Sequence, residues 1–342
     1  MKKTDTVFLG ILSFIILFLG IAVLVVPQKS FSEKENRYLT KAPSVSIRSI
    51  ATGDLFKELN NFYSDQFPFR DSFTSLYAIS ELSLGKCQVN DVVFCNDLLL
   101  RREKSQDLSQ ALSTIEELCG DQATLYVPPS SAEVFRSELP PSLQNELGEC
   151  PTQFTQYTYY KTDHHWTTHG AYTAYTEICD MLGISAFEED YFKRSTVCTD
   201  FRGTAYARAC LPEWMISPDT ITLYRYDGDE YVDIFCHDTN TQRLGFYEMG
   251  ALNGNDKYRV FLGGNYARLT ISSDSSKERL VLVKDSFANS VIPFLALHFN
   301  IEVIDPRYCS KNELVSLLNK FNSGSERVLI LMSKATLIEC FN

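Results

Sequence analysis

The chain has 342 residues, a net charge of −11 and a pI of about 5.0. Its 44 % hydrophobic and 22 % charged content is that of a globular protein with a sizeable core, in one large domain or two small ones. The acidic balance excludes nucleic acid and anionic lipid as the main partners, because both are bound through basic patches.

Met1-Lys2-Lys3 precedes an apolar run from Val7 to Val26. Such a run, at ~1.5 Å per residue, crosses a hydrocarbon core of about 30 Å. It ends in Val25-Val26-Pro27-Gln28-Lys29, without the small-x-small site of a cleaved signal, and so reads as a signal anchor. Lys2 and Lys3 place residues 1–6 in the cytoplasm and the rest outside, a bias that Lys29 and Lys34 weaken. Ten cysteines follow: Cys87, Cys95, Cys119, Cys150, Cys179, Cys198, Cys210, Cys236, Cys309 and Cys340. An even count in an exported domain permits disulfides, and Cys198 and Cys210 flank a loop and are placed to pair. None has the spacing of a cysteine-based zinc site.

Residues 27–85 read as a juxtamembrane region. A polar spacer to about Ser49 leads to one helix through Leu55, Leu59, Phe62 and Tyr63 and another through Leu76, Ile79, Leu82 and Leu84. Asp65-Gln66-Phe67-Pro68 interrupts the two, since proline disfavours helix in the residue before it. From residue 86 an α/β domain is expected. Ser105–Leu118 is an amphipathic helix, and Thr124-Leu125-Tyr126-Val127 is a strand stopped by Pro128-Pro129.

Tyr159-Tyr160-Lys161-Thr162-Asp163-His164-His165-Trp166-Thr167-Thr168-His169-Gly170 then concentrates three of the five histidines. It reads as a loop entering a helix that stops at Gly183. About 187–279 alternates in short runs and is expected to be an antiparallel insertion into the α/β core. Within it, Asp227-Gly228 signals a hairpin between Ile221–Tyr226 and Tyr231–Ile234. The pattern returns to α/β with strands at Leu280–Val283, Ile301–Ile304 and Val328–Met332 and a helix from Lys311 to Phe321, which implies a parallel sheet.

Ser286 sits where the strand at Leu280–Val283 gives way to a helix, so its hydroxyl stands at the C-terminal edge of the sheet. A serine needs a base, and histidine suits that role. Asp163-His164-His165 supplies base and orienting carboxylate: Asp163 reaches one ring nitrogen of His165 and the other faces Ser286. The Ser286 N–H, with Gly264 or Asn265 from Gly263-Gly264-Asn265, would hold an oxyanion, and Asn289 lies on the first turn after the serine. Two simpler readings stand beside this one. Asp285 or Ser286 as a helix cap looks the same. Asp163, His164, His165 and His169 also contain an i, i+4 histidine pair suited to a metal, though without the glutamate a metalloprotease requires.

These residues carry a resemblance. Thr162-Asp163-His164-His165-Trp166-Thr167, with Tyr160 before it and Gly170-Ala171-Tyr172 after, resembles the signature of the DHHW protein family. Ser32-Glu33-Lys34-Glu35-Asn36-Arg37, Asp65-Gln66-Phe67-Pro68-Phe69-Arg70-Asp71, Gly203-Thr204, Lys284-Asp285-Ser286-Phe287-Ala288-Asn289 and Asp305-Pro306-Arg307-Tyr308 extend the likeness over most of the chain. That family is similar to the SGNH-hydrolase-like domains of alginate O-acetyltransferases, which carry an Asp-x-His pair early and the serine late. The resemblance implies a flavodoxin-like α/β/α fold in residues 86–342 and acyl transfer or ester hydrolysis on a cell-surface polysaccharide. Asp163, His165 and Ser286 would be the triad, with His164, Trp166, Asn289 and Arg307 among the substrate-binding residues. The partners implied are that polysaccharide and an acyl donor or a membrane acyl-transfer partner; no cofactor and no metal is expected. One departure is Lys284, where the related motif has glycine, which requires a negative φ at this position. The alternative function is a catalytically inactive glycan-binding or assembly protein of the cell envelope.

Overall fold

In the computed structural model the described residues are 3–102, 107–120, 123–145, 147–148, 150–151, 153–322 and 326–342. A seven-stranded sheet organises the chain. Its strands are β1 (Ala123–Tyr126), β2 (Asp233–Cys236), β3 (Thr241–Leu244), β4 (Arg268–Ser272), β5 (Glu278–Lys284), β6 (Phe299–Ile304) and β7 (Arg327–Leu331), in the spatial order β3-β2-β4-β6-β5-β7-β1. β6, β5, β7 and β1 run parallel, whereas β4, β2 and β3 extend the sheet antiparallel beyond β6.

Side chains alternate across a strand, so the apolar run in β5 feeds two cores. Leu280 and Leu282 join Leu329 and Leu331 of β7 on one face, under the helix Thr168–Leu182. Val281 and Val283 join Val328 and Ile330 on the other, under Ser109–Cys119, Lys311–Asn322 and Lys334–Phe341. Both faces of the parallel strands are thus covered by helices, as parallel sheets require. The helix Thr168–Leu182 buries Ala171, Ala174, Tyr175, Ile178, Cys179 and Leu182, a spacing of three and four residues. The Thr167 side chain caps its start and Gly183, left-handed, ends it.

Four expectations are corrected. Ile221–Tyr226 and Tyr231–Ile234 are not the two arms of one hairpin. The strand Asp219–Arg225 pairs with Lys193–Phe201, while β2 pairs with β3 and β4. Gly228 does turn the chain, at φ 98°, but into a short 3-10 turn over Asp229–Tyr231 that redirects it to the main sheet. The stretch 187–279 is therefore an insertion only in part, since β2, β3 and β4 complete the core sheet. Cys198 and Cys210 do not pair, and all ten cysteines are free thiols. The Cys198 thiol faces Asp200 at 3.1 Å, while Cys210, at the left-handed end of the helix Thr204–Ala209, directs its thiol at Ala207 O at 3.4 Å. The helix expected from Ser105 runs over Ser109–Cys119, and Ser105 itself lies outside the described residues.

The apolar N-terminal helix covers Lys3–Val25 and is long and apolar enough to cross a membrane. The polar stretch after it is more than a spacer. Phe31–Ser32 pairs with Arg37–Tyr38, and Asn255 donates to the carbonyl of Glu33 at 2.9 Å. Two of the motif stretches bind each other: Arg37 grips Asp65 at 2.6 and 3.1 Å, Glu35 pairs with Arg70, and Lys34 donates to Asp71 O at 3.0 Å. The Arg37 guanidinium, with help from Thr40, holds the Asp65 carboxyl down at about 2. The helices Asp54–Asp65 and Arg70–Ser83 are thereby fixed against the α/β body, and a cleft of about 1070 Å³ opens between them, lined by Phe73, Tyr77, Arg101, His164 and Thr204 among others.

Candidate active site

The loop carrying the histidines is staked at several points. Its ends meet in an antiparallel bridge between Tyr159 and Trp166, and Tyr160 N donates to His165 O at 3.2 Å. In its interior the buried Asp219 carboxylate accepts from the amides of Lys161 (2.9 Å) and Thr162 (2.8 Å) and from the Thr162 hydroxyl (2.6 Å). Burial pushes the Asp219 carboxyl up, and these donors oppose that rise. Of the next three residues, His164 lines the cleft, while Asp163 and His165 are buried beside it.

Asp163 is fully buried and acts as an acceptor on both oxygens. Oδ1 takes the His165 backbone N–H at 2.9 Å and faces His165 Nδ1 at 2.5 Å. Oδ2 takes the Thr204 N–H at 2.6 Å and the Thr204 hydroxyl at 3.0 Å. Burial alone would raise its pKa, but the two imidazoles and these hydrogen bonds hold it well below the ordinary carboxylate range. An acceptor at Nδ1 puts the neutral imidazole's proton there and leaves Nε2 as a base. Nε2 lies 2.8 Å from Ser286 Oγ, across 121 residues of sequence. The Tyr258 ring stacks on His165 with centroids 3.9 Å apart and planes 8° from parallel, which fixes the imidazole plane.

Ser286 opens a 3-10 turn, Ser286–Ser290, directly after β5. Asp285 is its cap: Oδ1 accepts from Phe287 N at 3.0 Å and Oδ2 from Ser333 N at 2.8 Å. The capping role falls to Asp285, and the Ser286 hydroxyl is free to meet His165. The Ser286 N–H lies at the open N-terminal end of the turn, where amides lack an intrahelical acceptor. Trp166 is fully buried, with its indole N–H donating to Phe287 O (3.0 Å) and Ser290 Oγ (2.9 Å). It therefore ties the histidine loop to the serine turn, as a packing wall beside the site.

The other predicted residues divide between cleft and frame. His164 lines the cleft, packs against His165 with ring centroids 3.8 Å apart and planes tilted by 38°, and shares a 2.6 Å hydrogen bond with Thr204 Oγ1. Burial, then the neighbouring His165, push its pKa down to about 3; the 24 % of its side chain open to the cleft moderates that fall and leaves it neutral near pH 7. Asn289 and Asn265 hydrogen-bond each other at 3.1 Å, and Asn289 reaches Gly264 O at 3.5 Å. Leu262, Gly263 and Gly264 all have positive φ (61°, 74° and 129°), which the two glycines adopt freely and which strains the backbone at Leu262 beside the serine turn. Arg307 does not reach freely into a cleft, because its guanidinium is bidentate to Asp305 at 2.9 and 2.7 Å. His169 pairs with Glu189 at 2.9 Å, away from the cluster. Ligand atoms of Asp163, His164 and His165 lie within 4.8 Å of one another, close enough for a metal. Their acceptors and donors are already matched to each other, to Thr204 and to Ser286, a pairing that suits proton transfer better than coordination.

Three contributors had no role assigned from sequence: Thr204, Tyr258 and Lys284. Gly203-Thr204 stands out only as a motif. A Cβ at Gly203 would lie 2.1 Å from Asp163 Oδ2 and 2.3 Å from its Cβ, so glycine is what lets the Thr204 amide reach the carboxylate. Gly203→Ala is therefore expected to displace Asp163, slow ester cleavage by about 10²-fold and cost about 1–3 kcal/mol of stability. Kinetics on p-nitrophenyl acetate and a thermal melt of the same preparation test both.

Comparisons with known proteins bear on this geometry. The model of the DHHW protein family matches residues 149–304, which include Asp163, His165 and Ser286. The fold aligns with a DHHW family protein from Eubacterium siraeum at 22 % identity and a TM-score of 0.55, over 75 % of this chain and 93 % of that one. It aligns with Bacillus cereus PatB1, in a structure with a sulfonyl adduct, at 17 % identity and a TM-score of 0.55, over 72 % and 95 %. The O-acetyltransferase domain of Pseudomonas putida AlgJ is a more distant match, at 13 % identity, a TM-score of 0.37 and coverage of 71 % and 90 %. No curated protein matches the chain. At these identities the likeness to the Eubacterium siraeum protein and to PatB1 is one of fold.

Proposed function

We propose that this chain, which matches the DHHW protein family, is a membrane-anchored O-acyltransferase or esterase with an SGNH-like domain, acting outside the cytoplasm on a cell-surface polysaccharide. The observation that carries the reading is the continuous line Asp163 Oδ1–His165 Nδ1, His165 Nε2–Ser286 Oγ, at 2.5 and 2.8 Å. Ser286 Oγ attacks the acyl carbonyl as its proton passes to His165 Nε2. The tetrahedral oxyanion is met by the Ser286 N–H together with Gly264 or Asn265. Collapse expels the first alcohol, which takes the proton from His165 and leaves an acyl-serine. A water or a sugar hydroxyl then attacks the acyl carbon, His165 accepts its proton, and serine is released as the acid or the new ester leaves. Neutral His164, open to the cleft, is an uncharged hydrogen-bonding partner for a sugar hydroxyl.

The apolar helix Lys3–Val25, with Lys2 and Lys3 before it, supports an anchor with the domain outside. The alternative, a non-catalytic glycan-binding or assembly protein, uses the same cleft without needing the hydrogen-bonded line to Ser286.

Covalent labelling tests the choice. A sulfonyl fluoride reacts with a serine activated by a histidine and spares ordinary serines. Full-length protein in detergent is expected to gain one sulfonyl group, mapped by peptide mass to Ser286, and to lose it in His165→Ala. Label spread over several serines, or none at all, would count against the enzyme reading.

A further inference from the structure

Lys284 is the last residue of β5, two before Ser286, and is 1 % exposed. Its φ is not in the left-handed region, so lysine fits the strand end without strain. Along β5 it follows Leu280 and Leu282 onto the face that carries the histidine loop and its helix. A buried ammonium costs several kcal/mol unless all its protons are bonded, and here three acceptors take them. Nζ donates to Asn289 Oδ1 (2.9 Å), Asn265 Oδ1 (3.0 Å) and Asp305 Oδ2 (3.2 Å). Asp305 is itself held by Arg307, which makes the anchor rigid.

The consequence lies in the amides. An asparagine side chain can flip, exchanging donor for acceptor, unless its partners discriminate. Lys284 is donor only, so it forces Oδ1 of both asparagines towards itself. Asn289 Nδ2 then turns to Asn265 Oδ1, at 3.1 Å, which fills the Asn265 oxygen with two donors. The Asn265 NH2 is thereby pushed outward, and it makes no hydrogen bond among the described residues; the residue is partly exposed. Residues i and i+3 eclipse on a 3-10 turn, so Asn289 stands one turn above Ser286 and brings this pair to the serine's side of the turn.

We propose that Lys284 is a positioning residue: it locks the amides of Asn289 and Asn265 so that the Asn265 NH2 is presented to the oxyanion formed at Ser286. The proposal rests on the acyl-transfer reading of the site. It selects the Asn265 side chain as the second oxyanion donor and gives the lysine at the glycine position a task. Lys284 touches no reacting atom; it acts through Asn265.

The test is p-nitrophenyl acetate hydrolysis by the full chain in detergent, with rates normalised to the fraction of Ser286 that a sulfonyl fluoride labels. Lys284→Met is expected to lower kcat by roughly 10–100-fold and to leave KM within about twofold. Asn265→Asp keeps an acceptor towards Lys284 and removes the NH2. It is expected to lower kcat by about 10²-fold while folding as well as the parent, so it carries the test even if Lys284→Met fails to fold. The double variant Lys284→Met, Asn265→Asp should be no slower than Asn265→Asp alone, because both remove the same donor. A parental kcat in Asn265→Asp, or losses that multiply in the double variant, would overturn the proposal. Ser286→Ala separates the two levels: a parental rate there removes the acyl-transfer reading itself. Ser286-dependent activity with neutral Asn265→Asp removes only the role of Lys284.

Discussion

Ser286→Ala should abolish ester cleavage, with kcat falling by about 10⁴-fold or more and the fold intact. The hydroxyl's one described hydrogen bond is to His165, while Asp285 caps the turn and Trp166 braces it through Phe287 and Ser290. Its loss therefore costs about 1 kcal/mol at most, and the melting temperature should move by only a few degrees. The decisive comparison is with His165→Ala. Nucleophile and base act as one unit, so each variant alone should lose nearly everything and the double variant little more. Stopped assays with p-nitrophenyl acetate measure this, and a glycan acceptor then separates transfer from hydrolysis by whether an O-acyl ester appears on the sugar. If Ser286→Ala and His165→Ala both keep the parental rate, the hydrolysis observed arises elsewhere and the assignment falls.

Parts of this site were legible in the sequence because they obey local rules. Leu280–Val283 is a continuous apolar run, and that run is what burial on both faces of a parallel sheet demands. Ser286 follows it after Lys284 and Asp285, so its place at the strand's C-terminal end was readable. Asp163 and His165 are two residues apart in one loop, and their contact needs no knowledge of the fold. The approach of that loop to Ser286 spans 121 residues and is a tertiary fact. The sequence could only suggest it through the types of residue involved and the family resemblance.

What escaped reading has physical reasons too. The short alternating runs at Ile221–Tyr226 and Tyr231–Ile234 have strand character, but alternation says nothing about which strand is the partner. Asp227-Gly228 looks like a hairpin turn, and its left-handed glycine serves a 3-10 turn just as well. The polar stretch from Ser32 to Arg37 looked like a spacer since its local ion pair, Glu35 with Arg37, does not show what it packs against. The further partners of these two residues lie about thirty residues on, at Asp65 and Arg70, and the pairing turns that stretch into a wall of the cleft beside His164. Lys284 read as a departure from a glycine motif. Only the positions of Asn265, Asn289 and Asp305, gathered from three separate segments, show what an ammonium does there.

Asp163→Asn is expected to lower kcat by roughly 10³–10⁴-fold while leaving KM nearly unchanged, since Asp163 is buried away from substrate. Both carboxylate oxygens are acceptors, Oδ1 for two groups of His165 and Oδ2 for two of Thr204. An amide has one acceptor to offer. With its NH2 in the Oδ1 place, it meets the His165 backbone N–H donor to donor. It also turns Nδ1 into an acceptor, which moves the imidazole proton to Nε2, the atom that must receive the serine's proton. With its NH2 in the Oδ2 place, it faces the Thr204 N–H across a gap that is now 2.6 Å. That orientation preserves the tautomer but displaces Thr204 and removes the negative charge that stabilises the imidazolium in the transition state. Either choice costs activity, and each leaves one backbone N–H unpaired, at about 1–3 kcal/mol of stability. Nitrogen NMR of His165 in the variant tells them apart: a proton on Nε2 marks the first, and a proton on Nδ1 marks the second. A variant with the parental kcat would mean that Asp163 serves only to hold the loop, and the proton path through His165 would have to be abandoned.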